Sequence, residues 1–473
     1  MKESSFRFLK SALQEEGFCI STPKVLEWLQ TRNREVKVRL EWMRLSEMAD
    51  WACDGVAGNI RHASGSFFSI EGIHVATDCG KCREWEQPII NQPEIGFLGC
   101  IVKEFRGVLH FLVQAKIEPG NINNVQLSPT LQATRSNYSR VHRGRRPEYL
   151  EYFNGERPRH VLLDQLQSEQ GARFLHKRNR NIIVEVEEDI ELSPDFAWLT
   201  LGQIKRLAQR NNVVNMDLRT VIAGISFGNG DAGILEIMER MGGGGHYAGG
   251  MLRSALDSRG GIHSIDEIIS WFTEQKTKHS LSVLPKGLQQ VEHWVSDDWG
   301  VRHENGLYFD IRYLAVFIGN REVNSWQQPI VAAKQEGILA FIVKRIGGVY
   351  HFLVQAKLEC GNFDVLEFAP TVQCVTGNYQ NSRSSVPYLD YVLSTPRERL
   401  RLDVLQSEEG GRFYREQNRN LIVEADGDFP ETCPENFCWM TLNQLLTFIR
   451  YNNYLNIQAR SLLAAIRFAN FPE

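Results

Sequence analysis

Hydrophobic residues are concentrated in two adjacent segments of the chain, residues 96–105 and 108–116, which predict a β-hairpin. The segments GFLGCIVKEF and VLHFLVQAK are rich in branched and aromatic residues, as strands are. Arg106 and Gly107 lie between them, and glycine supplies the positive φ that a tight hairpin turn requires. Further strands are predicted over residues 125–134, where Pro129 indicates a strand start or an edge, and over residues 181–186.

A helical spacing of hydrophobic residues follows the strands. Thr200-Leu-Gly-Gln203 fits a capping box, with a threonine N-cap and a glutamine three residues later, and Thr441-Leu-Asn-Gln444 fits the same motif. A second helix is predicted over residues 217–227. A loose helical spacing also marks residues 1–39, and another helix is predicted over residues 264–278. Each group of strands is thus followed by a pair of helices.

The hairpin and its flanks occur twice. Residues 110–138 return as residues 351–379 without a gap, and fifteen of the twenty-nine positions are identical. Downstream, QSEQGARFLHKRNRNIIVE (167–185) matches QSEEGGRFYREQNRNLIVE (406–424). A repeat of this length is a duplicated domain, because solenoid repeats have periods of roughly 20–50 residues.

The repeat divides the chain into four predicted parts. These are a helical arm over 1–39, a first repeat over 40–228, a glycine-rich linker with a helix over 229–289, and a second repeat over 290–473. The glycine run 242–250 has two interpretations, a phosphate cradle or a flexible linker, and the missing Lys-Ser/Thr of a P-loop favours the linker. Because strands and helices do not alternate regularly, the predicted fold class is α+β, a tandem duplication.

Composition and charge exclude some classes of function. A hydrophobic content of 42% and a charged content of 23% are ordinary for a soluble protein, and a net charge of -4 gives no reason to expect a nucleic acid partner. No run of about 18 apolar residues predicts a membrane span, and the charged N-terminus does not resemble a signal peptide. Nine scattered cysteines suit reduced thiols, so a cytoplasmic location is expected. Cys79 and Cys82 form a lone CxxC, for which two loop cysteines are favoured over a metal or redox pair.

The main candidate for ligand binding is the segment Thr134-Arg135-Ser136-Asn137-Tyr138. It offers a guanidinium group, two hydroxyls, an amide and a phenol within five residues, and arginine binds phosphate bidentately. His142 and Arg143 follow it in a basic cluster that the second copy mostly lacks, although Asn378 and Tyr379 persist there. A solvated basic loop is the alternative interpretation.

The second candidate is the repeated Gln-Ser-Glu motif. A carboxylate beside a glycine turn can approach a ligand closely, while a turn that caps the backbone is the alternative interpretation. The residues concerned are Gln167, Ser168 and Glu169 in the first copy, and Gln406, Ser407, Glu408, Glu409 and Arg412 in the second.

Other candidates lie on strands or beside them. Gln114 and Lys116 share one strand face, as do Gln355 and Lys357, and this face lines a pocket or is simply exposed. Trp51 and Trp299 are candidates for stacking on a nucleobase, although core packing is a common fate for tryptophan. The second copy adds Thr371 and Gln373 to the candidate ligand-binding residues.

The chain resembles the NDP-hexose 2,3-dehydratases of deoxysugar biosynthesis. The motifs that carry the resemblance are NQPEIGFLG, HFLVQAKIEPGN, QLSPTLQATRSNY, RVHRGR, YLEYF, LQSEQG and KRNRN, in this order and together with the duplication. The resemblance implies a Nudix-hydrolase-like fold for each repeat, a homodimer, and dTDP-4-keto-6-deoxyglucose as the substrate. The Nudix glutamate box that would hold magnesium is absent, which argues against hydrolysis of the diphosphate.

The implied reaction is the loss of water across C2 and C3 of the hexose. The C4 carbonyl acidifies the C3 proton, a base removes it, and an acid protonates the departing C2 hydroxyl, so neither a redox cofactor nor a metal is expected. Glu169 is the predicted base, with Tyr138 and His142 as alternatives, and the first repeat is predicted to carry the chemistry. A second repeat that works through Glu408, Glu409 and Arg412 is the contrary possibility. A non-catalytic nucleotide-sugar binding protein and a Nudix-type hydrolase are the alternative functions.

Overall fold

A computed structural model describes residues 3–138, 144–230, 247–374 and 386–469, which form two copies of one unit. The first copy contains six helices and thirteen strands in its described residues. They are α1 Glu3–Leu13, α2 Thr22–Glu35, β1 Val38–Met43, β2 Trp51–Cys53, β3 Ile60–His62, β4 Ser69–Thr77, β5 Glu84–Asn91, β6 Gly96–Phe105, β7 Val108–Ile117, β8 Val125–Pro129, β9 Leu131–Ala133, α3 Arg135–Tyr138, α4 Leu150–Asn154, β10 His160–Ser168, β11 Phe174–Leu175, β12 Arg178–Glu185, β13 Phe196–Thr200, α5 Leu201–Leu207 and α6 Met216–Ala223.

The second copy has nearly the same order of elements. They are α7 Tyr247–Leu256, α8 Ile265–Lys278, β14 Leu281–Lys286, β15 Trp294–Asp297, β16 Gly300–His303, β17 Phe309–Ile318, β18 Ser325–Ala333, β19 Gly337–Ile346, β20 Val349–Lys357, β21 Glu367–Ala369, β22 Val372–Cys374, α9 Leu389–Ser394, β23 Leu400–Ser407, β24 Gln417–Glu424, β25 Phe437–Thr441, α10 Leu442–Phe448 and α11 Ile457–Ala464. Short 3-10 helices lie at Leu45–Glu47, Leu288–Gln290 and Arg397–Arg399.

Each copy is built on a seven-stranded mixed sheet. In the first, the order is β10-β12-β6-β7-β13, with β8 paired to β7 and β9 to β6; in the second, it is β23-β24-β19-β20-β21, with β25 on β20 and β22 on β19. One pair in each sheet is parallel, β12 with β6 and β24 with β19. The HFLVQAK strands occupy equivalent places, since His110 pairs with Thr200 and His351 with Thr441. The prediction of a twofold repeated unit of helices and sheets is therefore confirmed.

Local sequence rules are obeyed in both copies. The hairpin turn places Arg106 at φ 51° and Gly107 at φ 75°, and the second copy uses Gly347 and Gly348 at φ 58° and 84°. The capping box of α5 is also present: the Gln203 amide donates to Thr200 Oγ1, and the Thr200 amide donates to Gln203 Oε1, both at 3.1 Å. The matching box caps α10. Both predictions are confirmed.

Helix α1 of the first copy has a counterpart in the second copy, helix α7. Ser11 of α1 donates to the Leu109 carbonyl at 2.6 Å and accepts from the Leu201 amide, while Ser254 of α7 makes the same two contacts with Tyr350 and Leu442. Both helices bury an apolar side in the core. In this respect the structure differs from the predicted arm over 1–39 and linker over 229–289, because residues 247–278 form the helical pair of the second copy. Residues 231–246 lie outside the described residues.

The two copies exchange a strand. Strand β1 of the first copy pairs with β17 of the second, from Val38 opposite Ile318 to Met43 opposite Tyr313. Reciprocally, β14 of the second copy pairs with β4 of the first. The largest hydrophobic core also contains residues of both copies, including Phe111 and Phe352. The two repeats therefore form a joint structure, and cavities between them take side chains from both. Within the described ranges, no helix is both long enough and apolar enough to cross a membrane.

Candidate active site

A cavity of about 450 Å³ lies where the first sheet meets loops of the second repeat. Both repeats line it. The first supplies Trp51, His62, Phe67, Phe68, Lys116, Glu118, Gln132, Thr134, Asn137, Lys177, Asn179 and Asp217, and the second supplies Arg321, Trp326, Glu409 and Arg412 among others. Neither repeat alone forms this site.

The lining of the cavity includes a cluster of acids and bases. Their positions follow from the fold: Lys116 lies on β7, with Glu118 just beyond its end, and Asp217 lies in the first turn of α6. Lys177 directly precedes β12, and Glu409 and Arg412 lie between β23 and β24 of the other repeat. Three carboxyls and three cationic groups thus converge from three segments of one repeat and one loop of the other.

Burial perturbs these groups strongly. Burial is the main cause that raises the pKa of Glu409 to about 7, and Arg412 opposes that rise. Burial also raises the pKa of Asp217 well above its ordinary value, aided by the charges of neighbouring carboxylates. It lowers the pKa of Lys177 and of Lys116, because the charged form of each amine loses hydration. A carboxyl with a pKa of about 7, such as Glu409, can exchange protons near neutral pH, as general acid–base catalysis requires.

Hydrogen bonds fix the floor of the cavity. Gln132 Nε2 donates to Glu118 Oε1 at 2.8 Å, and the side-chain Nδ2 of Asn215, the N-cap of α6, donates to Gln132 Oε1 at 3.2 Å. Lys116 Nζ donates to the Gln132 carbonyl at 3.1 Å, and Lys177 Nζ donates to the carbonyl of Glu94. Glu118 Oε2 is buried and has no hydrogen-bond partner among the residues that the structure describes, so it offers an acceptor to a bound hydroxyl.

Aromatic rings also line the cavity. Trp51 packs against Phe68, with ring centroids 4.9 Å apart, and its Nε1 donates to the Gln327 carbonyl at 2.8 Å. The Arg412 guanidinium lies 4.2 Å from the centroid of the Phe68 ring. Trp326 of the second repeat completes this wall. Flat rings beside guanidinium groups suit a nucleobase that carries phosphates.

A second cavity, of about 1180 Å³, occupies the equivalent place in the other half of the molecule. Trp294, His303, Lys357 and Arg173 line it where Trp51, His62, Lys116 and Arg412 line the first. The proton-exchanging groups differ between the two halves. Alignment of the elements places Gln458 at the position of Asp217, Gln170 at that of Glu409, and Glu416 at that of Lys177. The second cavity therefore keeps the scaffold without the same acids and bases.

The predicted Thr134–Tyr138 segment is only partly in the cavity. Thr134 and Asn137 line it, whereas Arg135 is exposed. Ser136 is buried, and its amide and hydroxyl both donate to Glu94 Oε2 at 3.0 and 3.1 Å. The Tyr138 ring packs on Phe97 with centroids 5.4 Å apart. The structure thus separates Arg135 from the cavity, since the short helix α3 turns it outward. His142 and Arg143 lie outside the described residues.

The Gln-Ser-Glu motifs lie at the boundary between the repeats. Gln167 Nε2 donates to the Ile449 carbonyl at 2.6 Å, and Gln406 Nε2 donates to the Ala208 carbonyl at 2.7 Å. Ser168 and Ser407 each bond a side chain of the other repeat, Glu367 and Gln126 respectively, both at 2.9 Å. These four predicted ligand-binding residues therefore join the repeats and do not line either cavity. The physical reason is that each motif closes a strand at the contact between the two sheets.

The predicted carboxylates of these motifs have different positions. Glu409 and Arg412 line the first cavity, although they belong to the second repeat. Glu169 is buried behind the cavity lining and accepts from Asn179 Nδ2 at 2.7 Å, and Glu408 is buried in the corresponding place of the second repeat. Glu169, the predicted base, therefore contacts Asn179, which lines the cavity, but does not line the cavity itself.

Some of the strand and tryptophan candidates line a cavity, and others do not. Lys116 lines the first cavity, and Gln355 and Lys357 line the second, but Gln114 lies outside the lining. Of the two tryptophan candidates, Trp51 lines the first cavity, whereas Trp299 lines neither cavity. The strand registers make Trp294 the counterpart of Trp51, since Trp51 pairs with His62 and Trp294 with His303. Trp299 is exposed, with the Arg44 guanidinium 4.6 Å from its ring centroid.

The second-copy candidates beyond β20 are structural where they are described. Thr371 Oγ1 accepts from the Ile342 amide at 2.9 Å and donates to the Leu353 carbonyl, which ties strands together in the core. Gln373 Nε2 donates to Glu359 Oε1 at 2.9 Å, as Gln132 does to Glu118. Asn378 and Tyr379 lie outside the described residues.

Sequence reasoning missed Glu118, Lys177, Asp217 and Arg321. A signal was present for three of the lining residues: the aligned copies differ in charge at Asp217 and Gln458, at Lys177 and Glu416, and at Glu409 and Gln170. Such differences mark the positions at which one copy kept a chemistry that the other lost. Among the described residues, no group of three or more His, Cys, Asp or Glu side chains could hold a metal ion.

Comparison with known proteins relates this chain to one family. The family model described as NDP-hexose 2,3-dehydratase matches residues 22–225 and, a second time, residues 265–466. The two matches begin at equivalent helices, α2 and α8. The matched ranges cover most of both repeats.

Three curated relatives match almost over their full length. A protein of Saccharopolyspora spinosa is 44% identical over 466 residues, which cover 97% of this chain and 94% of the relative. Proteins of Amycolatopsis orientalis and Streptomyces violaceoruber are 40% and 41% identical, covering 98% and 93% of this chain and 94% and 96% of the relatives. All three are named dTDP-4-dehydro-6-deoxy-alpha-D-glucopyranose 2,3-dehydratase.

Proposed function

The chain belongs to the NDP-hexose 2,3-dehydratase family, and on this premise we propose that it is a hydro-lyase that acts on dTDP-4-keto-6-deoxyglucose. The reaction removes water across C2 and C3 and gives a 3,4-diketo-2,6-dideoxy sugar nucleotide. The observation that carries the proposal is the composite cavity. It joins an aromatic wall, suited to a nucleobase, to a cluster of carboxyls and amines that can exchange protons.

The proton transfers fall to the carboxyls of the cluster. Glu409 lines the cavity and has a pKa raised by burial to about 7, so we assign it as the base that takes the C3 proton. Burial and the charges of neighbouring carboxylates raise the pKa of Asp217 well above its ordinary value, which favours the protonated carboxyl, and we assign Asp217 as the acid that protonates the departing C2 hydroxyl. Glu118 Oε2 accepts a hydrogen bond from a sugar hydroxyl.

The cations of the cavity hold the negative charge of the substrate and of the transition state. Arg321 and Arg412 present guanidinium groups, whose fork matches phosphate oxygens, so we assign them to the diphosphate. Lys116 and Lys177 lie beside the carboxyls and stabilise the oxyanion that develops at C4 when the C3 proton leaves. No step requires an electron acceptor.

The second cavity fits a binding role without turnover. Its lining keeps the tryptophan, the lysine and the arginine of the first cavity. The residues equivalent to Asp217 and Glu409 are the glutamines Gln458 and Gln170, which are not among its lining residues. We propose that it holds a nucleotide sugar and releases it unchanged. We therefore place the chemistry in the first cavity, in keeping with the expectation that the first repeat carries it. The assigned base, Glu409, comes from the second repeat.

Two further proposals rest on the family resemblance. Each repeat has a Nudix-hydrolase-like fold, for which the mixed sheet with one parallel strand pair is a supporting feature; superposition on a Nudix hydrolase tests this. The protein is a homodimer, for which light scattering should give twice the chain mass of 54.2 kDa.

The test of function is incubation with dTDP-4-keto-6-deoxyglucose and o-phenylenediamine, which traps a 1,2-diketone as a quinoxaline. Dehydration yields a sugar nucleotide trapped as a quinoxaline, whereas the intact substrate has a single ketone and forms no quinoxaline. Without the trap, dTDP is released, because the C3 ketone acidifies C2 and the diphosphate departs from C1. Formation of dTMP would instead indicate hydrolysis, and an unchanged substrate would indicate binding alone.

A further inference from the structure

Two turns, residues 167–171 and residues 406–410, meet at the boundary of the repeats. Their buried glutamates, Glu169 and Glu408, differ in the hydrogen-bond donors that face them. In the second repeat, Gln170 Nε2 and Asn418 Nδ2 both donate to the Glu408 carboxylate, one from each repeat. Each oxygen of Glu408 therefore has a donor. The contact that crosses the repeat boundary there is made by an amide hydrogen of Gln170, so that contact needs no carboxyl proton.

The first repeat has the same arrangement, except that a glutamate stands at the position of the glutamine. Glu169 stands at the position of Glu408, and Asn179 Nδ2 donates to its Oε1 at 2.7 Å, as Asn418 does to Glu408. The position of Gln170, however, is taken by Glu409. Glutamate and glutamine have nearly the same shape, but a carboxylate has no donor, whereas a protonated carboxyl has one. A contact between Glu409 and Glu169 equivalent to that between Gln170 and Glu408 therefore needs a proton on one of the two carboxyls.

We infer that Glu169 and Glu409 form a carboxyl pair across the repeat boundary that shares one proton, with Glu169 acting on the substrate only through Glu409. The inference rests on the proposed function, because it assigns the base of that reaction a partner. In the resting state Glu169 donates the shared proton to one oxygen of Glu409. The other oxygen of Glu409 faces the cavity as an acceptor, so Glu169 is a positioning residue.

The number of protons in the site is conserved over the reaction. Glu409 accepts the C3 proton as the C3–H bond breaks, and the electron pair of that bond forms the C2–C3 double bond. The C2–O bond breaks, and the hydroxyl leaves as water with the proton of Asp217. The site then holds as many protons as before, and the enol becomes a ketone when its O3 proton moves to C2. No oxidant or reductant takes part.

Charged groups face the pair from every side. Burial raises the pKa of Glu169, and the charges of Arg460 and Lys177 oppose the rise. For Glu409, burial again has the largest effect, and the charges of Glu169 and Glu118 add to it. The charged groups that face the two carboxyls from the packed elements are Glu118, Lys177, Asp217, Arg412 and Arg460. Like charges that share a site separate their protonation steps, so one member keeps its proton at neutral pH.

The direct test counts protonated carboxyls in the unliganded protein by infrared spectroscopy at neutral pH. Glu169→Gln and Glu409→Gln each recreate the Gln–Glu contact of the second repeat, so both variants should fold. Each should lose the signal of one protonated carboxyl, and the double variant should also lose only one. Loss of two in the double variant would mean two independent protons, and no loss in any variant would mean two ionised groups; either result overturns the pair.

The kinetic test uses the pH dependence of kcat. Glu169→Gln replaces the carboxyl that shares a proton with Glu409 by an amide that does not titrate, so the two coupled protonation steps become one and the limb governed by Glu409 should move by about one to three pH units. Glu408→Gln, the same change at the other turn, should leave the limb in place. A Glu169→Gln profile that coincides with the wild-type profile would overturn the positioning role. If the wild-type protein does not dehydrate the substrate, the proposed function fails, while the infrared count still decides the pair.

Discussion

A buried lysine at the contact between the repeats gives a stability prediction with a built-in control. Lys205 of α5 is 3% exposed, and its Nζ donates to the Ala464 carbonyl of the other repeat at 3.1 Å. The ring of Phe468 lies with its centroid 5.7 Å from the amine. The equivalent residue of α10 is Leu446, so Lys205→Leu puts the second repeat's own residue into the first.

The magnitude follows from the burial of the amine. Burial lowers the pKa of Lys205 from 10.5 to about 7, and at about 1.4 kcal/mol for each pKa unit this corresponds to a cost of about 5 kcal/mol. Loss of the donor to the Ala464 carbonyl offsets about 1–3 kcal/mol of the gain. We therefore expect Lys205→Leu to raise the free energy of unfolding by roughly 2–4 kcal/mol at pH 7.

The pH dependence has a definite sign. Between about pH 7 and pH 10.5 the unfolded chain binds a proton at Lys205 that the folded chain does not bind, so wild-type stability should rise with pH through this window. Below pH 7 both states are protonated and the cost is constant. The variant lacks this contribution, so its advantage should shrink as the pH rises.

Urea denaturation at several pH values measures both quantities. Leu446→Lys, the reciprocal change, should destabilise the protein most at low pH and serves as the matched control. If Lys205→Leu is no more stable than wild type at pH 7, and the two pH profiles run parallel, the argument from burial is refuted.

Activity measurements test the assignment of the first cavity. Arg412→Ala should lower kcat/KM about ten- to a hundredfold, since a charged hydrogen bond is worth about 1.5–3 kcal/mol, whereas Arg173→Ala in the second cavity should alter turnover by less than about twofold; equal losses would contradict the choice of cavity. Asp217→Asn should lower kcat by about 10²–10⁴-fold with little change in KM, measured by the diketone trap, because it removes the general acid; a raised KM with unchanged kcat would indicate a binding role. Turnover should survive EDTA, and a loss that magnesium or zinc restores would show that a metal takes part.

The sequence determined those features that depend on a few neighbouring residues. The positive φ of Gly107 follows from its hairpin turn, and the N-cap of Thr200 follows from a glutamine three residues later; both appear in the structure as predicted. The duplication could be recognised in the sequence because it preserves residue identity over long segments. The order of the motifs indicated the family to which the chain belongs. These features need no knowledge of what packs against what.

Only the tertiary structure decided which polar residues meet. Glu409 and Glu408 are adjacent in one motif, yet Glu409 lines the first cavity while Glu408 lies behind the second. Likewise, Ser168 donates to Glu367 of the other repeat, and Arg135 is exposed. A strand end that reaches the repeat boundary and one that reaches a cavity carry the same kinds of residue, because both bury polar groups that need partners. The pairing of the two repeats sets these partners over distances of more than two hundred residues, and no local pattern records that pairing.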